Sequence, residues 1–171
     1  MRTLLALLLV AGCGHSPAAL PDRPADFAVA YGWSSGSLPP RYHHRHRLEV
    51  AADGAGTLLA ETAYGDGPSQ SWTFSLTDAE RDALYAALRD GDAFQAWRED
   101  DNPPVGGSSW WAELRAGGAV TEIPGFVRRG QADGKDALAD VLRGAVPASV
   151  WAEHLNWLAR AQASLSEADG G

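Results

Sequence analysis

The sequence predicts an α+β domain, with an antiparallel sheet of about five to six strands and two or three helices packed mainly on one face. Three observations carry this expectation. Short runs alternate apolar and polar residues with period two, as in Trp72, Phe74, Leu76 and again in Trp110, Ala112, Leu114, and Gly- or Pro-bearing turns separate them. Two other stretches, after Thr77 and after Pro147, space their apolar residues as a helix does. Strands also follow strands before any helix intervenes, unlike the alternating pattern of a parallel sheet.

Taken in order, Phe27, Val29 and Tyr31 alternate with alanines and predict the first strand. Residues 34–40 are rich in Ser, Gly and Pro and form a loop. Residues 42–50 place Leu48 and Val50 between charged neighbours. Asp53-Gly54-Ala55-Gly56 then supplies turn chemistry before a strand over 57–63, so a hairpin is expected. The strand with Trp72 and Phe74 leads into Thr77-Asp78-Ala79-Glu80, a capping box. Its threonine oxygen and its glutamate satisfy free amides at a helix start. Leu84, Tyr85 and Leu88 continue that helix, Gly91 stops it, and Phe94 and Trp97 close it onto the sheet.

Residues 99–109 form a loop around Pro103-Pro104 and Gly106-Gly107, after which Trp110 to Leu114 and residues 119–123 make a hairpin turned by Gly117-Gly118. Residues 128–135 are polar and read as mobile. A short helix over 136–143 and a longer one opened by Pro147 close the domain, the latter with Trp151, Leu155 and Leu158 on its apolar face. The division expected is 1–12 as an export signal, 13–26 as a tether marked by Pro17, Pro21 and Pro24, 27–163 as one domain, and 164–171 as a frayed tail.

Arg2, the apolar run Leu4 to Ala11, and the small pair Ala11-Gly12 have the anatomy of a secretory signal. The run is too short to cross a bilayer, which takes about 20 residues as a helix. Leu9-Val10-Ala11-Gly12-Cys13 resembles the lipobox of bacterial lipoproteins. The resemblance implies thioether lipidation of Cys13, cleavage before it, and anchoring of the rest to the cell envelope. Gly14 after the cysteine favours transfer to an outer membrane, with the domain facing the periplasm or the cell surface. Cys13 is the only cysteine, so lipidation leaves no thiol for disulfides, zinc-thiolate sites or nucleophilic catalysis.

Stability must therefore come from a hydrophobic core, for which 45% hydrophobic residues and seven tryptophans are ample. The formal charge of −8 repels phosphate backbones, so nucleic acid is not an expected partner.

Four groupings bear on chemistry. Gly32-Trp33-Ser34-Ser35-Gly36 matches the spacing of a nucleophile elbow, yet Pro39-Pro40 prevent the helix that must follow, and His154 has no evident carboxylate partner. A Gly/Ser turn is the better reading. His43, His44 and His46 form a dense imidazole group; on a strand His44 and His46 share the face of Leu48, while His43 joins Arg45 and Arg47. Two imidazoles two residues apart can ligate copper, nickel or zinc, but the neighbouring guanidinium groups oppose a cation. Glu99-Asp100-Asp101-Asn102 lacks the alternation of an EF-hand loop and reads as a solvated acidic loop. Gly134-Lys135 lacks the rest of a phosphate loop. No cofactor is expected.

The aromatic residues are the remaining signal. Trp110 and Trp111 point to opposite faces if strand-like, and Trp33 and Tyr42 flank the 34–40 loop. Trp33, Tyr42 and Trp111 are the candidates for a partner contact, with a protein the expected partner.

From about Phe27 to Trp157, the layout resembles small domains of the emfourin type, inhibitors of thermolysin-like metalloproteases. The resemblance rests on the early Tyr/Gly/Ser segment, Leu76-Thr77-Asp78-Ala79-Glu80 opening a helix towards Phe94, the Trp111 to Ile123 hairpin with Gly117-Gly118, and the closing helix. It implies protease inhibition. The chain departs from that pattern where Ser35-Gly36-Ser37 leads into Pro39-Pro40 and where His43 to Arg47 is inserted, so no functional residue carries over. The expectation is a non-catalytic protein-binding module, with protease inhibition and metal binding through His43, His44 and His46 as alternatives.

Overall fold

The computed structural model describes residues 22–168. The expected signal segment, Cys13 and the tether up to residue 21 lie outside the described residues. Six strands form one antiparallel sheet: β1 (Ala28–Ser34), β2 (His44–Val50), β3 (Ala55–Thr62), β4 (Ser69–Ser75), β5 (Ser109–Ala116) and β6 (Ala119–Ile123), in the order β4-β3-β2-β1-β5-β6. Three helices, α1 (Asp78–Asp90), α2 (Ala132–Gly144) and α3 (Ala148–Ala168), complete the α+β fold.

Alternation decides which sheet face is covered. Val29 and Tyr31 of β1, Leu48 and Val50 of β2, Leu58 of β3 and Leu114 of β5 all point inward and are buried. They meet Leu84 and Leu88 of α1 and Leu138 and Leu142 of α2 in one core. The other face carries Arg45, Arg47, Glu49, Trp111, Glu113 and Arg115 and lies open to solvent.

The capping box at α1 forms as the sequence implied. Glu80 donates its amide to the Thr77 hydroxyl, and its carboxylate accepts from the Thr77 amide at 2.7 Å. Ordered contacts begin ahead of Phe27. Arg23 pairs with Asp78 and Asp82 of α1, and the Asp26 carboxylate accepts from the Gly117 and Gly118 amides at 2.7 Å each.

Three local expectations are corrected. Residues 128–135 are not a mobile polar stretch. A 3-10 turn over Arg129–Gln131 feeds α2, which starts four residues earlier than expected, and Lys135 is buried. Its ammonium donates to the Trp110 and Gly125 carbonyls and lies 4.5 Å from the centre of the Trp110 ring, tying α2 to the end of β5. The buried face of α3 carries His154 and Ala161, while Leu155 is 61% exposed. The sheet end it covers is aromatic and imidazole-lined, so a histidine faces inward. Finally, α3 continues past Ser164 to Ala168.

Candidate functional site: a flat tryptophan on the open sheet face

Residues pointing outward from the middle strands are small on β1, namely Ala28, Ala30, Gly32 and Ser34. Trp111 of β5 lies beside Gly32 in register and folds across it. A Cβ on Gly32 would sit 2.4 Å from the indole nitrogen and 2.5 Å from Cε2, so only glycine lets the ring lie flat on the strand. Arg47, on the other side of β1, places its guanidinium carbon 5.4 Å from the centre of that ring while pairing with Glu49. Trp111 stays 38% exposed, so its outward side is presented to solvent.

Two hollows adjoin this ring. One of about 640 Å³ lies towards the β3 side, bordered by Ser34, His43, Arg45, Glu61 and Tyr64. The other, of about 470 Å³, lies towards β6 and is bordered by Trp97, Glu99, Glu113 and Glu122. Trp111 is a wall of both.

The larger hollow contains an Nε2 to Oγ contact of 3.3 Å between His43 and Ser34, the central serine of the elbow-like string. Its polarity does not suit His43 to act as a base for Ser34. The Tyr64 amide donates to His43 Nδ1 at 3.1 Å, so in the neutral ring the proton resides on Nε2 and is donated to Ser34. Burial first, then Arg45 and His44, hold the His43 pKa below the ordinary imidazole range, which keeps the ring neutral. A nitrogen that already carries its proton cannot accept one from the serine. Ser34 also receives the Gly36 amide at 3.3 Å, and the string leads into a short 3-10 turn and then β2 rather than an α-helix, in line with the turn reading.

The backbone is strained to hold this arrangement. Ala63 and Tyr64 both have positive φ, 49° and 61°, followed by Gly65 at 97°. For residues other than glycine, each costs on the order of 1–2 kcal/mol. The turn stacks Tyr64 on His43 with ring centres 3.6 Å apart and lets its hydroxyl donate to the Leu38 carbonyl.

The three clustered histidines divide as alternation implied. His43 borders the open face, whereas His44 and His46 face α3. There His46 stacks on Trp33 at 5.2 Å and 13°, and His154 of α3 approaches it edge-on at 5.5 Å. Among the described residues, neither ring nitrogen of His46, nor Nδ1 of His154, has a hydrogen-bond partner. Burial, reinforced by His154, His44 and Arg143, pushes the His46 pKa down to about 3, and burial also lowers that of His154. Among the described residues, no three His, Cys, Asp or Glu side chains group so as to hold a metal ion.

The structure separates the aromatic candidates too. Trp33 lies on the covered face, Trp111 on the open one, and Tyr42 sits in a 3-10 turn (Pro40–Tyr42) with Arg41 4.8 Å from its ring centre. Tyr64, Trp97 and Gly32 complete the site and were not singled out from sequence as site residues. Tyr64 follows a turn whose left-handed backbone at Ala63 and Tyr64 no Gly or Asn announces, and the role of Gly32 depends on register across β1 and β5. Acidic Asp101 pairs with Arg128 at 2.9 Å, as a solvated loop residue does. No helix of the described residues is long and apolar enough to cross a membrane. Neither a protein-family profile nor a curated protein matches this chain.

Proposed function

We propose that this chain is a non-catalytic binding module, held at a bacterial cell envelope by a lipid on Cys13, whose ligand seats on the open sheet face around Trp111. The observation that carries this reading is the indole laid flat over Gly32 with its outward side exposed between two hollows. A large aromatic ring in water gains from being covered, and Trp and Arg are the side chains most often found at the energetic centre of contacts. The protonated nitrogen that His43 turns towards Ser34 leaves that serine without a base, which supports binding rather than hydrolysis.

The anchor and the contact face are tested separately. Metabolic labelling with a palmitate analogue marks the chain and fails to mark Cys13→Ser; equal labelling of both removes the anchor from the proposal. Hydroxyl-radical footprinting of Trp111 compares intact cells with the purified full chain. Protection of Trp111 in cells, with Tyr42 equally reactive in both, is expected, and equal reactivity of Trp111 in both settings overturns the binding face.

A further inference from the structure

We infer that the ligand of this face is an uncharged linear oligosaccharide, an inference that rests on the binding-module reading. Two aromatic side chains lie on the open face, Tyr64 beside the end of β3 and Trp111 over β1, while Trp97, packed against the core with its indole N–H donated to the Ala93 carbonyl, borders the hollow on the β6 side. From β3 to β6 the sheet passes through five strands, a span of roughly 20 Å at the usual strand spacing. Trp111 divides that span into two hollows, which suits a chain crossing the ring and placing successive units on either side.

The charge pattern selects the chemistry. Arg45 pairs with Glu61 at 2.8 Å, Arg47 with Glu49 at 2.7 Å and Arg115 with Glu113 at 3.3 Å, so each of these arginines is already neutralised by a carboxylate on the same face. Such pairs offer planar arrays of donors and acceptors to hydroxyl groups without a net charge to match an ionic ligand. Glu99 and Glu122 in the β6-side hollow, on a chain of formal charge −8, repel phosphorylated or uronic-acid chains.

A protein partner fits this face less well, because stable protein contacts centre on a desolvated apolar core. Besides Trp111 of β5, the outward apolar side chains larger than alanine are Leu59 of β3 and Val120 of β6, one on either side of it, while those of β1 and β4 are Ala, Gly, Ser and Thr. A sugar ring has a C–H face that covers an indole and a hydroxyl rim that stays hydrogen-bonded to polar side chains or water, so it needs no such core.

The test uses the full chain in a zwitterionic detergent free of sugar headgroups, titrated calorimetrically with neutral tetrasaccharides of N-acetylglucosamine, of β-linked glucose and of α-linked glucose, with tetragalacturonate as the anionic arm. At least one neutral tetrasaccharide is expected to bind, and Trp111→Ala is expected to weaken it by about tenfold or more. Gly32→Ala, which keeps the indole but lifts it from the strand, is expected to weaken the same probe, with folding of both variants checked by circular dichroism. Failure of every neutral probe to bind the folded chain, preference for tetragalacturonate, or undiminished binding by folded Trp111→Ala would each overturn the inference. If Trp111 is protected in cells while all neutral probes fail, the module reading stands and a protein becomes its ligand.

Discussion

Acid destabilises this fold through the imidazoles buried under α3. His46 is neutral in the folded protein because burial, with His154, His44 and Arg143 nearby, lowers its pKa to about 3, whereas the unfolded chain gives it an ordinary value near 6.5. The unfolded state therefore binds more protons between those two values, and stability falls as pH drops through that window. The contribution is complete above about pH 7 and is lost progressively below 6.5. Integrated from pH 7 to pH 5, one such histidine costs about 2 kcal/mol. At pH 5 the folded ring is still neutral, so essentially all of that difference remains. His154, also lowered, acts in the same direction.

Urea unfolding followed by tryptophan fluorescence at pH 7 and pH 5, compared between the natural chain and His46→Phe, isolates the effect, because His43 and the carboxylates titrate alike in both. The phenylalanine keeps a ring against Trp33 and removes two buried nitrogens that lack partners among the described residues, so stability at pH 7 should change little or rise. The variant should lose about 2 kcal/mol less between pH 7 and pH 5 than the natural chain. Equal losses in the two proteins would refute the reasoning.

Other consequences are open to simpler tests. Lys135→Met strips the Trp110 and Gly125 carbonyls of their donor and should destabilise the fold by about 1–3 kcal/mol in urea titrations, despite the expectation from sequence that this stretch is mobile. Thr77→Ala removes the hydroxyl that caps α1 and should cost about 1 kcal/mol, read as a lower urea midpoint with an unchanged slope. Gly32→Ala forces the Trp111 ring off β1 and should cost about 1–3 kcal/mol, with red-shifted tryptophan emission marking a more hydrated indole; an unshifted spectrum would mean the ring does not rest on the glycine. Ser34→Ala should leave ester hydrolysis by the purified chain at its starting level, since His43 already presents a proton to that oxygen.

Much of the fold was legible because it depends on local period and local chemistry. Alternation in 27–31, 72–76 and 110–114 gave strands, and it separated Trp110 from Trp111 and His43 from His46 before any packing was known. The Thr77 to Glu80 capping box marked the start of α1 because its hydrogen bonds close within four residues. The N-terminus of α2 was missed because Gly134 and the polar run before it lack helical signals. Its start is secured by Lys135 reaching carbonyls ten and twenty-five residues away in sequence.

The sequence by itself determined the class of fold, the faces of individual strands and the lipobox-like segment around Cys13, since each is written in neighbouring residues. Tertiary structure alone decided that β5 docks beside β1 so that Trp111 finds Gly32, that Tyr64 fixes the proton of His43, and that His154 meets His46 across the sheet. Those pairings join residues 21 to 108 positions apart, and only strand order and helix docking bring such distant side chains into contact.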